Sequence, residues 1–475
     1  MKSAWSINQK LKTFNYRYNK NIFITFDTKE FIFCATESEE WNHAVFCLLL
    51  KNFPKIKKFK VPNFLNNKIC KKSSLLKYKF LKNYINRISY FLKRNDKYFL
   101  SNTYLQTTEL QRLEVYLRQL PLKRYPLPEN QSTTTSFGNN WRNTKLFSDL
   151  GKNKIENIIY KNIAFFLPSI FLEDYKKQIT YLKNFSLPIQ PKVIFTTNQH
   201  FTNENFKFWA AEMHCSGTRL VVGEHGGFGV GLFNGAHEYE RQICDYYFST
   251  GWKDPNDRKV IPIGGNRHIL SKLKPKKEGN GILLCGLMPK YTSDIRSMMN
   301  SDQVPEYLNG LFKFYQILPD EIKKLISVRL YSPDYNWQQA EKWKTQFPQV
   351  KLSTKESCPI EKLLINGRIL VSTYCATSYL ESLSANYPTI IFWDKKIWEI
   401  KKTAKPFFSE LENAKVFFSE PNAAAIHLTK IWNEIPKWWQ SKKVQDARFN
   451  FCNTYIKNPK NISRIIQKHL NNIAS

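Results

Sequence analysis

The sequence contains no stretch of 18 uncharged apolar residues, and its mean hydropathy is −0.47. We therefore expect no transmembrane helix. The first 20 residues lack the apolar core of a signal peptide, so none is expected either. The nine cysteines are scattered, without a Cys-x-x-Cys pair or a zinc spacing. This cysteine usage favours reduced, mostly buried thiols in a cytoplasmic protein.

Acidic residues are scarce: there are 39 against 72 basic residues, which gives a net charge of +33. Such an excess favours partners that carry negative charge, namely nucleic acid, an anionic membrane surface or phosphorylated substrates. Abundant lysine beside asparagine, isoleucine, tyrosine and phenylalanine also arises from a biased genome. No RNA-recognition, KH or zinc signature is present, so nucleic acid is not the expected partner. The 475 residues, 42% of them hydrophobic, are enough for two or three packed domains.

Glycine is sparse, but five of the 17 glycines fall within residues 223–231. They follow the apolar run Leu220-Val221-Val222, which is typical of a buried strand. A glycine-rich turn at the carboxyl end of a strand is where open α/β sheets hold ligands. We expect the glycines of this loop to let backbone N–H groups approach an anion. Of the five, Gly226, Gly227 and Gly229 are the candidates for this contact. The spacing fits neither the dinucleotide-binding nor the P-loop pattern.

The same loop carries an acid and an imidazole, Glu224 and His225. Such a pair suits proton transfer near neutral pH. Both are therefore candidates for a catalytic base, and Glu238 is a candidate to brace His225. Glu240, flanked by apolar residues, is expected to be structural. The alternative is that His225 only packs within its loop.

Strands and helices alternate along two parts of the chain, which predicts parallel sheets. A strand at Phe31-Ile32-Phe33-Cys34, with Thr36 and Glu39 forming a capping box for the next helix, would begin the first. Further elements of the first part are expected at 192–201, 203–212, 220–222 and 246–248. The second part predicts strands at 282–286, 327–331, 350–352, 369–372 and 389–393. Helices are expected between them at 305–318, 337–347, 360–365 and 378–384.

These patterns predict an α/β protein with two Rossmann-like domains facing a cleft and helical additions, the architecture of GT-B glycosyltransferases. The predicted N-terminal domain covers residues 1–252, a Pro- and Gly-rich linker covers 253–281, the C-terminal domain covers 282–400 and C-terminal helices cover 401–475. By analogy with GT-B enzymes, the N-terminal domain would be the acceptor side and the C-terminal domain would bind the nucleotide sugar.

Residues 51–95 hold fourteen Lys or Arg and no Asp or Glu. Apolar residues recur there at steps of three and four from Leu75 to Leu92, which predicts a basic amphipathic helix inserted in the first domain. One interpretation is a helix lying on an anionic membrane surface, so that the protein is peripheral on the inner membrane. The other is a surface helix with solvated lysines.

Three stretches, 206–252, 371–400 and the tail near Ala404-Lys405-Pro406-Phe407-Phe408, resemble one family. It comprises the leptospiral-type transferases of bacterial surface-polysaccharide gene clusters. More distantly, the stretches are similar to GT-B enzymes that transfer ulosonic acids (Kdo and sialic-acid-like sugars) from CMP donors. The resemblance covers about residues 190–460 and touches 31–41. The family has glutamine where this chain has Glu224.

The second half offers hydroxyl groups where a buried strand ends and a helix begins, an arrangement that binds anions. The resemblance implies that four of them contact the donor phosphate: Ser372, Thr373, Thr377 and Ser378. Glu381 would contact the ribose or brace the loop, or form an ordinary capping box if Ser378 caps the helix. Lys290 or Arg296 would neutralise the leaving phosphate.

The leading hypothesis is a glycosyltransferase that moves a sugar from a nucleotide-sugar donor to a surface-glycan or lipid-linked acceptor, with Gln199 and His200 on the acceptor side. No Asp-x-Asp-like pair lies in a suitable loop, so we expect no metal and no cofactor. Two alternatives stay open: a nucleic-acid-binding protein, and a non-catalytic scaffold with a degenerate nucleotide site.

Overall fold

The computed structural model describes residues 13–15, 20–50, 58–60, 88, 91–121, 130, 142, 150–185, 187–226, 228–265, 273–291 and 297–475. The chain divides into two compact units. The first unit comprises residues 1–91, 127–187 and 199–211, and the second comprises 92–126, 188–198 and 212–475. Most of the predicted basic helix near 51–95 and Arg296 lie outside the described residues, so neither is tested.

The described part of the first unit is mainly helical. Its one strand pair joins β1 (Thr13–Asn15) to β2 (Lys58–Lys60) in parallel. Its helices are Thr28–Glu37, Glu39–Leu50, Lys154–Phe166, Tyr175–Lys183 and Gln199–Thr202, with 3-10 turns at Lys20–Phe23 and Ser169–Phe171. A core around Phe23, Trp41 and Phe165 holds the two N-terminal helices together.

The predicted strand at Phe31-Ile32-Phe33-Cys34 was wrong, because these residues lie inside the helix Thr28–Glu37. A four-residue apolar run does not distinguish a strand from a helix turn. Asp27 decides the outcome, since its side chain accepts a hydrogen bond from Glu30 N at 2.8 Å and caps the helix. The predicted Thr36 cap was also wrong: Ser38 caps the next helix, at 3.1 Å from Trp41 N.

The second unit contains two parallel sheets. The first has five strands in consecutive order: β3 (Tyr98–Ser101), β4 (Val193–Thr196), β5 (Arg219–Gly223), β6 (Tyr246–Ser249) and β7 (Val260–Pro262). Strands β3, β4 and β6 are almost fully apolar because both faces are covered. The C-terminal helix Ile462–Ala474 covers this sheet through Ile466 and Leu470.

The second sheet has six parallel strands: β8 (Asn280–Leu284), β9 (Ile326–Arg329), β10 (Lys351–Ser353), β11 (Gly367–Ser372), β12 (Thr389–Phe392) and β13 (Phe417–Phe418). Their spatial order is β10-β9-β8-β11-β12-β13. Counted from β8, this is the order 3-2-1-4-5-6 of nucleotide-binding doubly wound sheets. The order reverses between β8 and β11, and ligands of such sheets bind beyond the carboxyl ends of the strands at that point.

Helices accompany both sheets. Those of the second unit are Thr107–Tyr116, Gly235–Ile243, Val304–Ile317, Asp320–Lys323, Gln339–Gln346, Ile360–Ile365, Thr377–Ser384, Lys405–Asn413, Pro421–Ile431, Ile435–Trp439, Lys442–Tyr455 and Ile462–Ala474. Short 3-10 turns lie at Phe228–Val230, Ser301–Gln303 and Trp432–Glu434. The helix Glu204–Cys215 spans the division between the units.

The predicted α/β fold with two parallel sheets is confirmed. The predicted linker at 253–281 was wrong in part, because β7 lies inside it and pairs with β6. The predicted C-terminal helices at 401–475 are present, but the strand β13 lies among them and the last helix packs on the first sheet. Among the described residues, no helix is both long and apolar enough to cross a membrane.

Candidate active site

Glu224 lies directly after β5 and is buried, with 2% of its surface exposed. Its Oε1 accepts a hydrogen bond from Gly229 N at 2.9 Å. Its Oε2 accepts from Thr250 N at 2.8 Å and from the Trp252 indole N–H at 2.7 Å. Both oxygens therefore accept from N–H groups, which a glutamine amide, with a single acceptor oxygen, could not do.

These contacts correct the prediction that Glu224 is a catalytic base. Its carboxylate holds the glycine loop to the ends of β5 and β6, and 2% exposure of the residue disfavours a direct contact with an acceptor. Gly229 is part of the same packing, since a Cβ atom there would lie 2.2 Å from Trp252 Nε1. Gly226 has φ of +81°, a left-handed conformation that favours glycine. Gly227 lies outside the described residues.

His225, the next residue, has a partner acid. Its Nδ1 lies 3.2 Å from Glu240 Oε1, with 19% of the imidazole exposed and none of the carboxylate. Tyr247 donates its hydroxyl hydrogen bond to Glu240 Oε2 at 3.2 Å. A buried carboxylate behind Nδ1 leaves Nε2 as the nitrogen to exchange a proton with substrate, the arrangement of acid–imidazole pairs in general-base catalysis.

The prediction that Glu238 braces His225 was wrong, because Glu238 forms an ion pair with Arg241 at 2.9 Å instead. On the helix Gly235–Ile243, His237 and Glu240 are three residues apart and share the buried face. Glu238 and Arg241 share another face by the same spacing. The periodicity of this helix was in the sequence and could have identified Glu240.

Two further ionisable groups, His237 and Lys401, interact electrostatically with the site carboxylates. His237 is buried, and burial lowers the pKa of its imidazole although the Glu224 and Glu240 carboxylates act in the opposite direction. Burial likewise lowers the pKa of Lys401, although the Glu224 carboxylate acts to raise it. The Lys401 ammonium lies 4.8 Å from the centre of the Trp252 ring, a cation–π contact. Neither residue was among the predicted site residues, and a lone lysine carries no motif that would single it out.

The glycine loop contacts segments that follow strands of the second sheet at Gly226, Val230 and Gly231. Thr377 donates its hydroxyl hydrogen bond to Gly226 O at 2.8 Å. Lys401 N donates to Val230 O at 2.9 Å, and Gly231 forms a β-bridge with Ile400. The structure therefore brings the His225 loop into direct contact with the helix that follows β11.

Ser372 and Thr373 do not present hydroxyls to a ligand, because both side chains are fully buried. Thr373 donates its hydrogen bond to Leu284 O at 2.6 Å. Tyr307 links the same two strand ends: its hydroxyl lies 2.5 Å from Thr373 Oγ1 and accepts from Gly286 N at 2.6 Å. The predicted phosphate contacts of these two side chains were therefore wrong, and the Thr373 hydroxyl joins β8 to β11 where the strand order reverses.

The helix after β11 begins at Thr377, with Ala376 at the cap position and no side-chain cap. The predicted capping box of Ser378 with Glu381 is thus absent. Thr377, Ser378, Glu381 and Lys290 are all half-buried, and their donor contacts stay predictions. Gln199 and His200 are buried in the short helix Gln199–Thr202 of the first unit, which disfavours contact with an acceptor. Among the described residues, no group of three or more metal-ligating side chains is placed to hold a metal ion.

Comparison with known proteins gives one match that covers nearly the whole chain. A family model described as "LIC12162 family transferase" matches residues 2–470. No curated protein matches this chain.

Similar solved structures include MurG from Acinetobacter baumannii, with 10% identity, 64% of this chain and 81% of that chain covered, and a TM-score of 0.37. The wall teichoic acid polymerase TagF shows 11% identity, 83% and 92% coverage and a TM-score of 0.37. WaaG, a glycosyltransferase involved in lipopolysaccharide biosynthesis, shows 11% identity and a TM-score of 0.35. The match covers 80% of this chain and 99% of that chain. Similarity at this level carries no weight for the fold or the activity.

Proposed function

Because the chain belongs to the LIC12162 family of transferases, we propose that it is a glycosyltransferase that uses a nucleotide-sugar donor. The observation that carries the proposal is the contact between the His225 loop and the helix after β11. His225, which is paired with Glu240, lies on a loop whose Gly226 carbonyl accepts a hydrogen bond from Thr377. Thr377 in turn opens the helix after β11, at the reversal point of a sheet with nucleotide-binding strand order.

The donor phosphate would bind at the start of the helix Thr377–Ser384. No side chain caps this end, so its first backbone N–H groups can bind an anion. Ser378 supports a polar contact, and Lys290, in the segment after β8, supplies a charge to offset the leaving phosphate. We propose that the enzyme needs neither metal nor cofactor.

In the proposed reaction, His225 Nε2 accepts the proton of an acceptor hydroxyl. The acceptor oxygen forms a bond to the anomeric carbon, and the bond from that carbon to the donor phosphate oxygen breaks. The electron pair of the broken bond leaves with the nucleotide. The Glu240 carboxylate stabilises the imidazolium that forms.

From the resemblance of 206–252, 371–400 and the tail near 404–408 we further propose a CMP-linked ulosonic acid as donor and a surface-glycan or lipid-linked acceptor. The basic segment 51–95 would bring the enzyme to the anionic cytoplasmic face of the membrane. Flotation with liposomes that contain or lack anionic lipid tests this last part.

The direct test is turnover. Purified protein is incubated with CMP-ulosonic acids and with UDP- and GDP-sugars, and released nucleotide is measured. We expect release with one nucleotide class, and its loss in His225→Ala but not in Glu238→Gln. Nucleotide binding without release for any donor would contradict the proposal and favour a scaffold with a degenerate site.

A further inference from the structure

Each of three neighbouring strands of the first sheet is followed by a half-buried polar or aromatic side chain: Tyr104 after β3, Asn198 after β4 and His225 after β5. Carboxyl ends of parallel strands lie at one edge of a sheet, so these side chains share that edge. We propose that Tyr104 and Asn198 form the acceptor subsite, where they position an uncharged sugar hydroxyl for His225. This inference rests on the proposed function and names its acceptor class.

Direct contacts join the three residues. Asn198 Nδ2 donates a hydrogen bond to the Tyr104 hydroxyl at 2.5 Å. The Tyr104 ring meets the His225 imidazole in an edge-to-face arrangement, with centroids 6.1 Å apart and planes at 64°. Asn102 donates from its side chain to Asn198 Oδ1 and fixes the amide from the other side.

The backbone that carries Tyr104 is held in a rare conformation. Asn102 and Tyr104 have φ of +51° and +57°, in the left-handed region. For a bulky aromatic residue this conformation is unusual, and it persists only where the surroundings enforce it. Thr197 anchors the start of this turn, since its N–H donates to Asn102 O at 3.2 Å and its hydroxyl donates to the same oxygen at 2.5 Å. The turn therefore places the Tyr104 side chain at the cost of a left-handed backbone conformation.

The chemistry of the subsite identifies the class of ligand. A carboxamide both donates and accepts hydrogen bonds, as adjacent sugar hydroxyls do, and an aromatic ring packs against sugar C–H groups. A phenol and a carboxamide supply no positive charge, so Tyr104 and Asn198 offer nothing to pair with a carboxylate or phosphate of an acceptor. A neutral saccharide therefore fits this edge better than an anionic group.

The test compares Asn198→Ala and Tyr104→Phe with two matched controls, Asn422→Ala and Tyr175→Phe, whose side chains are exposed elsewhere. The probes are the methyl glycosides of glucose, galactose, mannose and N-acetylglucosamine. Binding is followed by saturation-transfer NMR and by protection of His225 from diethyl pyrocarbonate. We expect binding to wild type and both controls, and at least tenfold weaker binding to Asn198→Ala. Equal binding in all five proteins, or no binding of any glycoside to wild type, overturns the inference.

A kinetic measurement separates this inference from the proposed function. With an active donor, the acceptor KM should rise at least tenfold in Asn198→Ala, while the donor KM and the acceptor-independent hydrolysis of donor stay within twofold of wild type. A purely structural role would change all three together and would contradict the inference. Glycoside binding that depends on Asn198, in a protein that turns over no nucleotide sugar, would instead contradict the proposed function and leave the subsite standing.

Discussion

The two sheets of the second unit are both parallel, yet they differ in strand order and in the chemistry at their carboxyl edges. The first runs in consecutive order, and its edge carries Tyr104 and His225, the latter paired with Glu240 of the helix Gly235–Ile243. The second reverses its order between β8 and β11, and its edge offers the half-buried Ser378 and a helix start without a side-chain cap. The difference indicates a division of labour in which the first sheet supplies the base and the second holds the donor.

The largest effect should come from His225→Ala. Loss of a general base lowers the transfer rate by about 10²- to 10⁴-fold. Nucleotide affinity should stay unchanged, because the donor is held by the second sheet. Turnover assays and titration calorimetry measure the two quantities. The control is His214→Ala, whose imidazole is half exposed beside Asp245. A large loss of nucleotide affinity in His225→Ala would contradict the division between the sheets.

Glu240→Gln should lower the rate by less. The carboxylate lies 3.2 Å from His225 Nδ1, and loss of an interaction with a charged group of about 1.5–3 kcal/mol corresponds to a fall of about 10- to 100-fold. Glu238→Gln makes the same change two residues away on the same helix, where the partner is Arg241, and should leave the rate within about twofold. Equal effects of the two substitutions would mean that Glu240 does not act through His225.

Two glycine substitutions, one in the loop after β5 and one in a helix beside the second sheet, should change the free energy of unfolding in opposite directions. Gly229→Ala places a Cβ atom 2.2 Å from Trp252 Nε1 and should cost about 1–3 kcal/mol. Gly310→Ala, in the helix Val304–Ile317 beside the second sheet, meets only Pro421 Cγ at 3.8 Å. It should stabilise the protein by about 0.5–1 kcal/mol. Urea unfolding of both variants measures the two changes, and a stabilising Gly229→Ala would show that the loop does not pack as described.

A further effect should be a pH dependence of the free energy of unfolding that arises from His427, on a helix that packs beside the second sheet. Burial between Phe418 and Trp438, helped by Lys415 and Lys430, lowers the pKa of His427 to about 4. Above pH 6.5 the imidazole is neutral in the folded and unfolded chain. As pH falls from 6.5 toward 4, only the unfolded chain binds the proton, so the free energy of unfolding decreases.

His427→Phe removes this proton-binding site. The stability of wild type relative to the variant should fall by about 1–2 kcal/mol between pH 7 and pH 4, after allowance for partial exposure. Denaturant unfolding at several pH values gives the difference. Parallel pH profiles for the two proteins would contradict the assigned shift.

The sequence predicted the second sheet well because its strands are short apolar runs between helices with clear periodicity. The helix predicted at 360–365 has those bounds in the structure, and β8, β9 and β11 lie within two residues of their predictions. The first sheet was harder. Strands β3 and β7 are brief and follow or precede irregular chain, and the return of Ile462–Ala474 to this sheet is a long-range contact that no local pattern shows.

In the candidate site, too, some features could be predicted from the sequence and others depended on the fold. The glycine loop and His225 were recognisable from residue types alone, since glycine, acid and imidazole stand together. The buried role of Glu224 and the pairing of Glu240 depend on which groups β6 and Trp252 bring near, so they required the fold. The contact of Asn198 with Tyr104 joins residues 94 positions apart and had no signal in the sequence.

A crystal structure of the protein soaked with CMP, UDP or GDP would test the division of labour most directly. We predict phosphate density at the first turn of the helix Thr377–Ser384, on the side that faces the His225 loop, with the nucleoside over the carboxyl ends of β8 and β11. Phosphate bound instead to the ends of β3, β4 and β5, or at a site remote from His225, would contradict the account.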